Sequence, residues 1–344
     1  MIINSFNNIK IEGISCAVPT EWISIESLKN GNNDFVLDRF VKNTLIQGHY
    51  EVGERQTSAD LCYAAAKELI ECKNINREEI AVLVYVSQTP DYRCPSTACV
   101  LQDRLALPKD SLAFDVNLGC SGYAYGLNIA SSLMATSNVQ KALVLVGDAS
   151  TKYNVRTDNS KLLFGDSGTA TLLSKEVSSP EIAIACKSDG SGLRFMWQPY
   201  GQSRHHEMKD EGVHDEIATF KFAIDEAPAL INSFLESRHE SSEDYDYLVL
   251  HQANMMIMKQ IAKRTGFPKE KMLISLDHFS NTSNGSIPTT MVHCLSNVEN
   301  RVLKLLVCGY GIGLSWAVGS MVLNSRDILP LVHSDEYFDD GLFQ

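Results

Sequence analysis

Five short runs of the chain are predominantly apolar: "IAVLVYVS" (80–87), "SLAFDVN" (111–117), "KALVLVGD" (141–148), "YDYLVLH" (245–251) and "LKLLVCGYG" (303–311). Continuous rather than alternating hydrophobicity means that both faces of a strand are covered, as happens inside a layered α/β fold. Helical patterns fill 59–71, 121–135, 225–236 and 254–265, the last stopping at Gly266 with Pro268 beyond it. The strand and helix series occurs twice, once before about Ser174 and once after about Glu181, and each series ends in an apolar strand followed by glycines, "LVLVGDAS" and "LLVCGYGIG". With 344 residues the chain can hold two packed halves, and the expected organisation is an α/β fold of halves 1–180 and 181–344.

Composition narrows the functional classes. A formal net charge of -12 opposes non-specific attraction to nucleic acid or an anionic membrane. The start "MIINSFNNIKIEGISCAVP" has no basic segment followed by an apolar one, and no run approaches the roughly eighteen apolar residues of a membrane span, so a cytoplasmic location is expected. Nine cysteines without a C-x-x-C pair argue against a disulfide framework and a zinc site. One stretch departs from the acidic balance: in "MKQIAKRTGFPKEKM" (258–272), Lys259, Lys263, Arg264, Lys269 and Lys271 face only Glu270. It reads as a solvated helix face or as a docking patch for an acidic partner. The polar, glycine-bearing stretch 188–216 reads as an exposed excursion bordering a site. The acidic tail "LVHSDEYFDDGLFQ" reads as partly disordered or packed on a neighbour.

Chemistry enters at "FDVNLGCSGYAYGL" (114–127), where Cys120 stands between glycines as a strand gives way to a helix. Unpaired N–H groups and the positive end of the helix dipole at such a turn lower a thiol's pKa and favour the thiolate. Gly119 and Gly122 suit a sharp turn with close approach by a substrate. Cys62 and Cys72 in a helix, Cys186 and Cys308 in strands and Cys16 near the N-terminal strand read as ordinary fillers.

A nucleophilic cysteine needs a base or an electrostatic partner. His251 ends the run "YLVL" and begins "HQANMMIMKQ", at the C-terminal end of a strand where α/β folds gather their sites. His205, His206, His214 and His239 lie in polar stretches. In "SNTSNGSIPTT" (280–290), a glycine-bearing loop runs into a helix start at Pro288, and Asn281 either donates a hydrogen bond to a carbonyl oxygen or caps the loop or helix, while for Asn284 the cap is the better reading. The bend "GYGIGLSW" (309–316) can aim backbone N–H groups at an oxyanion, or is simply a strained turn.

Taken together, "DVNLGCSGYAYGL", "HQAN", "NTS" before "SIP", "GYGIGLSW" and "LLFGDSGTATLL" (162–173) resemble the ketoacyl synthase III family of the thiolase superfamily over nearly the whole chain. The resemblance implies a five-layered α-β-α-β-α fold of two similar halves, a homodimer, and the triad Cys120, His251 and Asn281. It implies that Cys120 accepts an acyl group from acyl-CoA, with backbone amides of Cys120 and Ile312 as oxyanion donors. His251 and Asn281 would then bind the malonyl thioester on acyl carrier protein and stabilise the enolate left by loss of CO₂, giving a 3-oxoacyl product. No metal or redox cofactor is implied. Lys259, Lys263 and Arg264 become the expected carrier-protein docking residues.

The chain also departs from the family. A W-I-x-x-R-T-G-I type segment that helps to hold coenzyme A is replaced by "FVKNTLIQGHYEVGER", in which only Glu54 and Arg55 match. Met256 stands where many members have a basic residue. Cys94, just before the matched "PS", replaces a bulky residue that closes the partner's acyl pocket, which points to a longer or branched acyl chain. Three alternatives stay open: a papain-like hydrolase, which also orders Cys, His and Asn along the chain; an acyltransferase that passes the acyl group to an alcohol or amine; and a non-catalytic thiolase-fold partner.

Overall fold

All five apolar runs are strands in the computed structural model, which describes residues 1–31, 33–153, 162–207, 209 and 212–342. In chain order the strands are β1 (Asn4–Phe6), β2 (Ile9–Val18), β3 (Trp22–Ser24), β4 (Gly48–Tyr50), β5 (Ile80–Val86), β6 (Leu112–Val116), β7 (Lys141–Asp148), β8 (Ser167–Lys175), β9 (Ile182–Ser188), β10 (Met196–Trp197), β11 (Val213–His214), β12 (Tyr247–Leu250), β13 (Val302–Gly311), β14 (Ser315–Asn324) and β15 (Val332–His333). The helices are α1 (Asp34–Thr44), α2 (Ser58–Cys72), α3 (Thr97–Arg104), α4 (Gly122–Ala135), α5 (Glu216–Arg238), α6 (Met255–Arg264), α7 (Leu276–Phe279) and α8 (Ser286–Leu295).

Six strands make the first sheet in the order β15-β2-β8-β7-β5-β6, and five make the second in the order β1-β9-β14-β13-β12. The wiring repeats. In each sheet the first long strand lies beside the last long strand of its half, which is antiparallel to the strand before it, and a parallel neighbour follows: β2-β8-β7-β5 and β9-β14-β13-β12. Two edge strands change sides, β1 pairing with β9 and β15 with β2.

The layers explain the unbroken hydrophobicity. Along β5, Val82, Val84 and Val86 face the central layer, where α4 and α8 lie between the sheets, while Leu83 and Tyr85 face α2 and α3 outside. Along β13, Leu305 and Val307 face the centre, while Leu306 and Cys308 face α5 and α6. The result is the five-layered α-β-α-β-α arrangement. At ~25 cal/mol per Å² of apolar surface, each of these buried aliphatic side chains contributes about 1.5–3 kcal/mol before entropy is counted.

Four expectations change. Strand β6 is an edge strand, with Leu112 52% exposed, so only one of its edges is covered. Helix α5 begins at Glu216, nine positions before the apolar pattern, because the Asp215 side chain accepts from the Ala218 N–H and caps it. Helix α1 gave little sequence signal because Leu37 alone is buried while Phe35 and Val36 face outward. Within 188–216, β10 and β11 form a small antiparallel hairpin, and residues 208, 210 and 211 lie outside the described residues.

The acidic tail packs on its own chain. Gln56 Nε2 donates to the Ser334 carbonyl (2.7 Å), the Phe338 N–H to Asp60 Oδ1 (2.9 Å) and the Tyr92 hydroxyl to Asp340 Oδ2 (2.9 Å). Among the described residues no helix is long and apolar enough to cross a membrane.

Candidate active site

Cys120 lies between the end of β6 and the start of α4, 9% exposed, in a turn closed by the Gly122 N–H on the Gly119 carbonyl (2.7 Å). The glycines of β13 are there because the turn presses on them. A Cβ on Gly309 would stand 2.5 Å from the Cys120 carbonyl oxygen, and one on Gly311 would stand 3.0 Å from Cys120 Sγ. The bend that follows is tied to α4 through Ser315, whose hydroxyl bonds to Ser121 (2.7 Å) and to the Ile312 carbonyl (2.8 Å). A Cβ on Gly119 would stand 3.2 Å from Ile312 Cβ, so Ile312 borders the same turn.

His251 follows β12 directly. Its N–H bonds to the Cys308 carbonyl (2.9 Å), Nδ1 lies 2.7 Å from Ser286 Oγ, and Tyr310 packs edge-on against the ring at 5.5 Å while its hydroxyl donates to the His251 carbonyl (3.1 Å). Burial lowers the imidazole pKa to about 3, against a hydrogen bond with the Ser283 backbone that raises it. The ring is therefore neutral at physiological pH.

Asn281 sits after α7, its main chain held by Leu163 (3.0 Å) and Gly165 (3.2 Å) of the glycine-rich stretch. Its Oδ1 accepts the Ser283 N–H (2.9 Å), which leaves the amide NH₂ as the group able to donate to a substrate. Gly165 is needed for this contact, since a Cβ there would stand 2.3 Å from the Phe279 carbonyl.

Ser283 thus meets all three. Its N–H bonds to Asn281 Oδ1 (2.9 Å), and it stands close enough to Cys120, Asp148 and His251 to act on the ionisation of each. Sequence reasoning passed over Ser283, Ser286, Tyr310 and Asp148. Asp148 had one signal, a carboxylate closing an otherwise apolar run.

Two expectations need correction. The Cys120 thiol is not lowered by the helix dipole: burial first, and the Asp148 charge second, push it up to about 12. The dipole acts within the first turn at a surface, and desolvation outweighs it here. Asn284 is not a loop cap. It is fully buried, with Nδ2 bonded to Asp148 Oδ2 (2.9 Å) and the Leu118 carbonyl (2.5 Å).

The basic stretch forms α6 and the turn after it, where Lys259, Lys263 and Lys269 rim a depression of about 380 Å³ with Ala262, Phe267 and Met272. Arg264 turns aside to pair with Asp225 (2.9 Å), and Met256 is exposed at the start of the helix. Cys94 is exposed on the surface of its own chain. Among the described residues no group of three or more His, Cys, Asp or Glu is placed to hold a metal ion.

Two sheets wired alike around a shared helical layer, with a buried cysteine from one half and a histidine and an asparagine from the other all beside Ser283, place the chain among the thiolase-fold condensing enzymes. Its sequence matches the family models for 3-oxoacyl-[acyl-carrier-protein] synthase III over 114–190 and for the C-terminal part of that enzyme over 235–324. It is 31% identical over 333 residues to beta-ketoacyl-[acyl-carrier-protein] synthase III of Syntrophomonas wolfei, covering 93% of this chain and 98% of that one. The same enzyme of Clostridium perfringens is 30% identical over 334 residues, covering 92% and 99%. The crystal structure of a 3-oxoacyl-(acyl-carrier protein) synthase from Burkholderia xenovorans superposes with a TM-score of 0.91 at 28% identity, covering 97% of this chain and 99% of that one. The chain belongs to the beta-ketoacyl-[acyl-carrier-protein] synthase III family, and it is an acyltransferase of the condensing kind. Family and fold together set aside the papain-like reading.

Proposed function

We propose that Cys120 takes an acyl group from acyl-CoA and that a malonyl group on acyl carrier protein then condenses with it, releasing CO₂ and giving a 3-oxoacyl product for fatty acid synthesis or a related pathway. The observation that carries this reading is that Cys120, His251 and Asn281 stand around one residue, Ser283, whose N–H bonds to Asn281 Oδ1 and which acts on the ionisation of the other two. The backbone N–H groups of Cys120 and Ile312 receive the oxyanion as the thiol attacks the thioester. His251 and the Asn281 amide donate to the malonyl carbonyl, so that the electron pair left by CO₂ is held as an enolate until it attacks the acyl-cysteine. A neutral imidazole suits that task, because it donates a hydrogen bond without trapping the carbanion as a strong acid would.

Acyl-CoA is a substrate in this scheme and no resident cofactor takes part. Lys259 and Lys263, with Lys269 beside them, offer an acidic carrier protein cations around an apolar floor, and Arg264 contributes less because it shares its charge with Asp225. The half-exposed edge of β6 supports a homodimer in which Cys94 borders the partner's acyl pocket. We place the division between the halves at 180/181, between β8 and β9, and the enzyme in the cytoplasm.

The test is intact-protein mass spectrometry after mixing the protein with acyl-CoAs from C2 to C12, beside Cys120→Ala, followed by malonyl-acyl carrier protein. Acylation of the wild type alone, discharged with CO₂ release, is the expected result. An acyl group untouched by the malonyl thioester but removed by an alcohol or amine would replace condensation with simple acyl transfer, and reaction with acetyl-CoA alone would end the longer-chain reading of Cys94.

A further inference from the structure

A pair of buried hydroxyls beside the thiol has no part in the scheme above. Ser121, directly after Cys120, occupies the N-cap of α4, where a serine side chain ordinarily accepts from an N–H of the first turn. Here it makes no such bond. Its hydroxyl turns across to the other half of the chain and lies 2.7 Å from the Ser315 hydroxyl, with both residues buried. Ser315 Oγ in turn donates to the Ile312 carbonyl (2.8 Å). A serine has one O–H to give. With the Ser315 proton committed to Ile312, Ser121 is the donor of the pair, and the hydroxyl chain runs in one direction, Ser121 to Ser315 to Ile312.

The surroundings show what this chain holds. Among the described residues it supplies the only hydrogen bond between the Cys120 turn (117–122) and the bend that follows β13 (309–316). Otherwise the two segments meet through packing, so close that a Cβ on Gly309 would stand 2.8 Å from Ser121 Cα. The outer arm of the bend has its own anchor, because Leu314 and Asp189 exchange N–H···O=C bonds in both directions (2.9 Å each). The hydroxyl chain therefore acts on the inner arm, where Ile312 lies.

We infer that Ser121 and Ser315 are positioning residues: their hydroxyl chain fixes the distance between the backbone N–H groups of Cys120 and Ile312, so that both reach one oxygen when a thioester carbonyl becomes an oxyanion. The two donors come from different halves of the chain, and such a pair works only when each stands about 2.7–3.1 Å from the developing charge. That charge appears as the tetrahedral intermediate forms, so the alignment lowers the barrier and leaves binding of the thioester unchanged. The serines themselves make and break no covalent bond.

This rests on Cys120 accepting an acyl group from acyl-CoA, and the experiment separates the two ideas. Cys120 acylation is followed by mass spectrometry against acyl-CoA concentration for wild type, Ser121→Ala, Ser315→Ala and the double variant, at equal folded fraction. Alkylation by iodoacetamide is followed beside it, since that reaction needs the thiol but forms no oxyanion. Both single variants should acylate at least about tenfold more slowly at saturation, with the half-saturating concentration unchanged, a smaller loss than removal of a whole donor because the donor is shifted rather than deleted. The double variant should be no slower than Ser315→Ala, which already leaves Ser121 without its acceptor. Alkylation should keep the wild-type rate. Variants that acylate as fast as wild type overturn the inference and leave the acyl-transfer reading standing. So does an effect confined to the half-saturating concentration, an alkylation rate that falls in step with acylation, or single effects that multiply in the double variant. The serines would then be, in turn, fillers, binding contacts, props for the thiol or two unconnected groups. If Ser315→Ala does not fold, Ser121→Ala carries the same rate comparisons against wild type. A wild type that is alkylated but never acylated overturns the acyl-transfer reading, and this inference with it.

Discussion

At the scale of single residues, the site depends on groups that never meet a substrate. Ser283 holds a left-handed backbone at φ 50°, a conformation that costs a serine about 1–2 kcal/mol. It is kept there in part by its N–H, which bonds to Asn281 Oδ1. His251 shows a linked effect in pH. Its unfolded imidazole takes a proton near pH 6.5, but the buried ring holds out until about 3. Between those values the unfolded state binds the extra proton, so stability is full above pH 6.5 and drains away as pH falls. The expected loss from this residue at pH 5 is about 2 kcal/mol. Urea unfolding at pH 7.5 and pH 5 should show the wild type losing that much more than His251→Gln, and equal losses would mean that the folded ring is charged.

At the scale of elements, precision comes from backbone packed on backbone. Strand β13 touches the Cys120 turn through glycines because no side chain fits between them. Gly309→Ala would drive its methyl group into the Cys120 carbonyl, and a displacement near 1 Å at a nucleophile costs about a hundredfold in rate. Gly53→Ala, where nothing lies within 4 Å of the new Cβ, is the control. Acylation rates measured at equal folded fraction should fall for the first variant and hold for the second. The two helices that flank the chemistry differ in kind. Helix α4 is apolar and central, so "GYAYGLNIASSLMA" announced it, and α6 showed its Gly266 stop and its basic face in sequence. Helix α1 did not announce itself, because two of its five apolar side chains, Phe35 and Val36, point outward and only Leu37 is buried.

At the scale of the whole molecule, the tail clamps the first half. Arg104 pairs with Asp60 (2.8 Å), both side chains nearly buried, and its guanidinium lies between the rings of Tyr63 (4.3 Å) and Phe338 (4.8 Å). Arg104→Ala would strand the Asp60 carboxylate and remove the seat of Phe338, so a loss of about 3–5 kcal/mol is expected. Denaturant unfolding measures the loss, and proteolysis should cut the tail of the variant first. An unchanged midpoint with a protected tail would mean that β15 alone holds the C-terminus.

The sequence alone determined the layered α/β class, the repeat of strand and helix, and the positions of Cys120, His251 and Asn281. Each of these is written locally, in an unbroken apolar run, a strand end or a glycine flank. Only the tertiary structure decided the protonation of Cys120 and His251 and the conversion of Asn284 from cap to a buried tie on Asp148. Those properties depend on desolvation and on which residues far apart in the chain are pressed together, and no local pattern encodes how deeply a side chain will be buried.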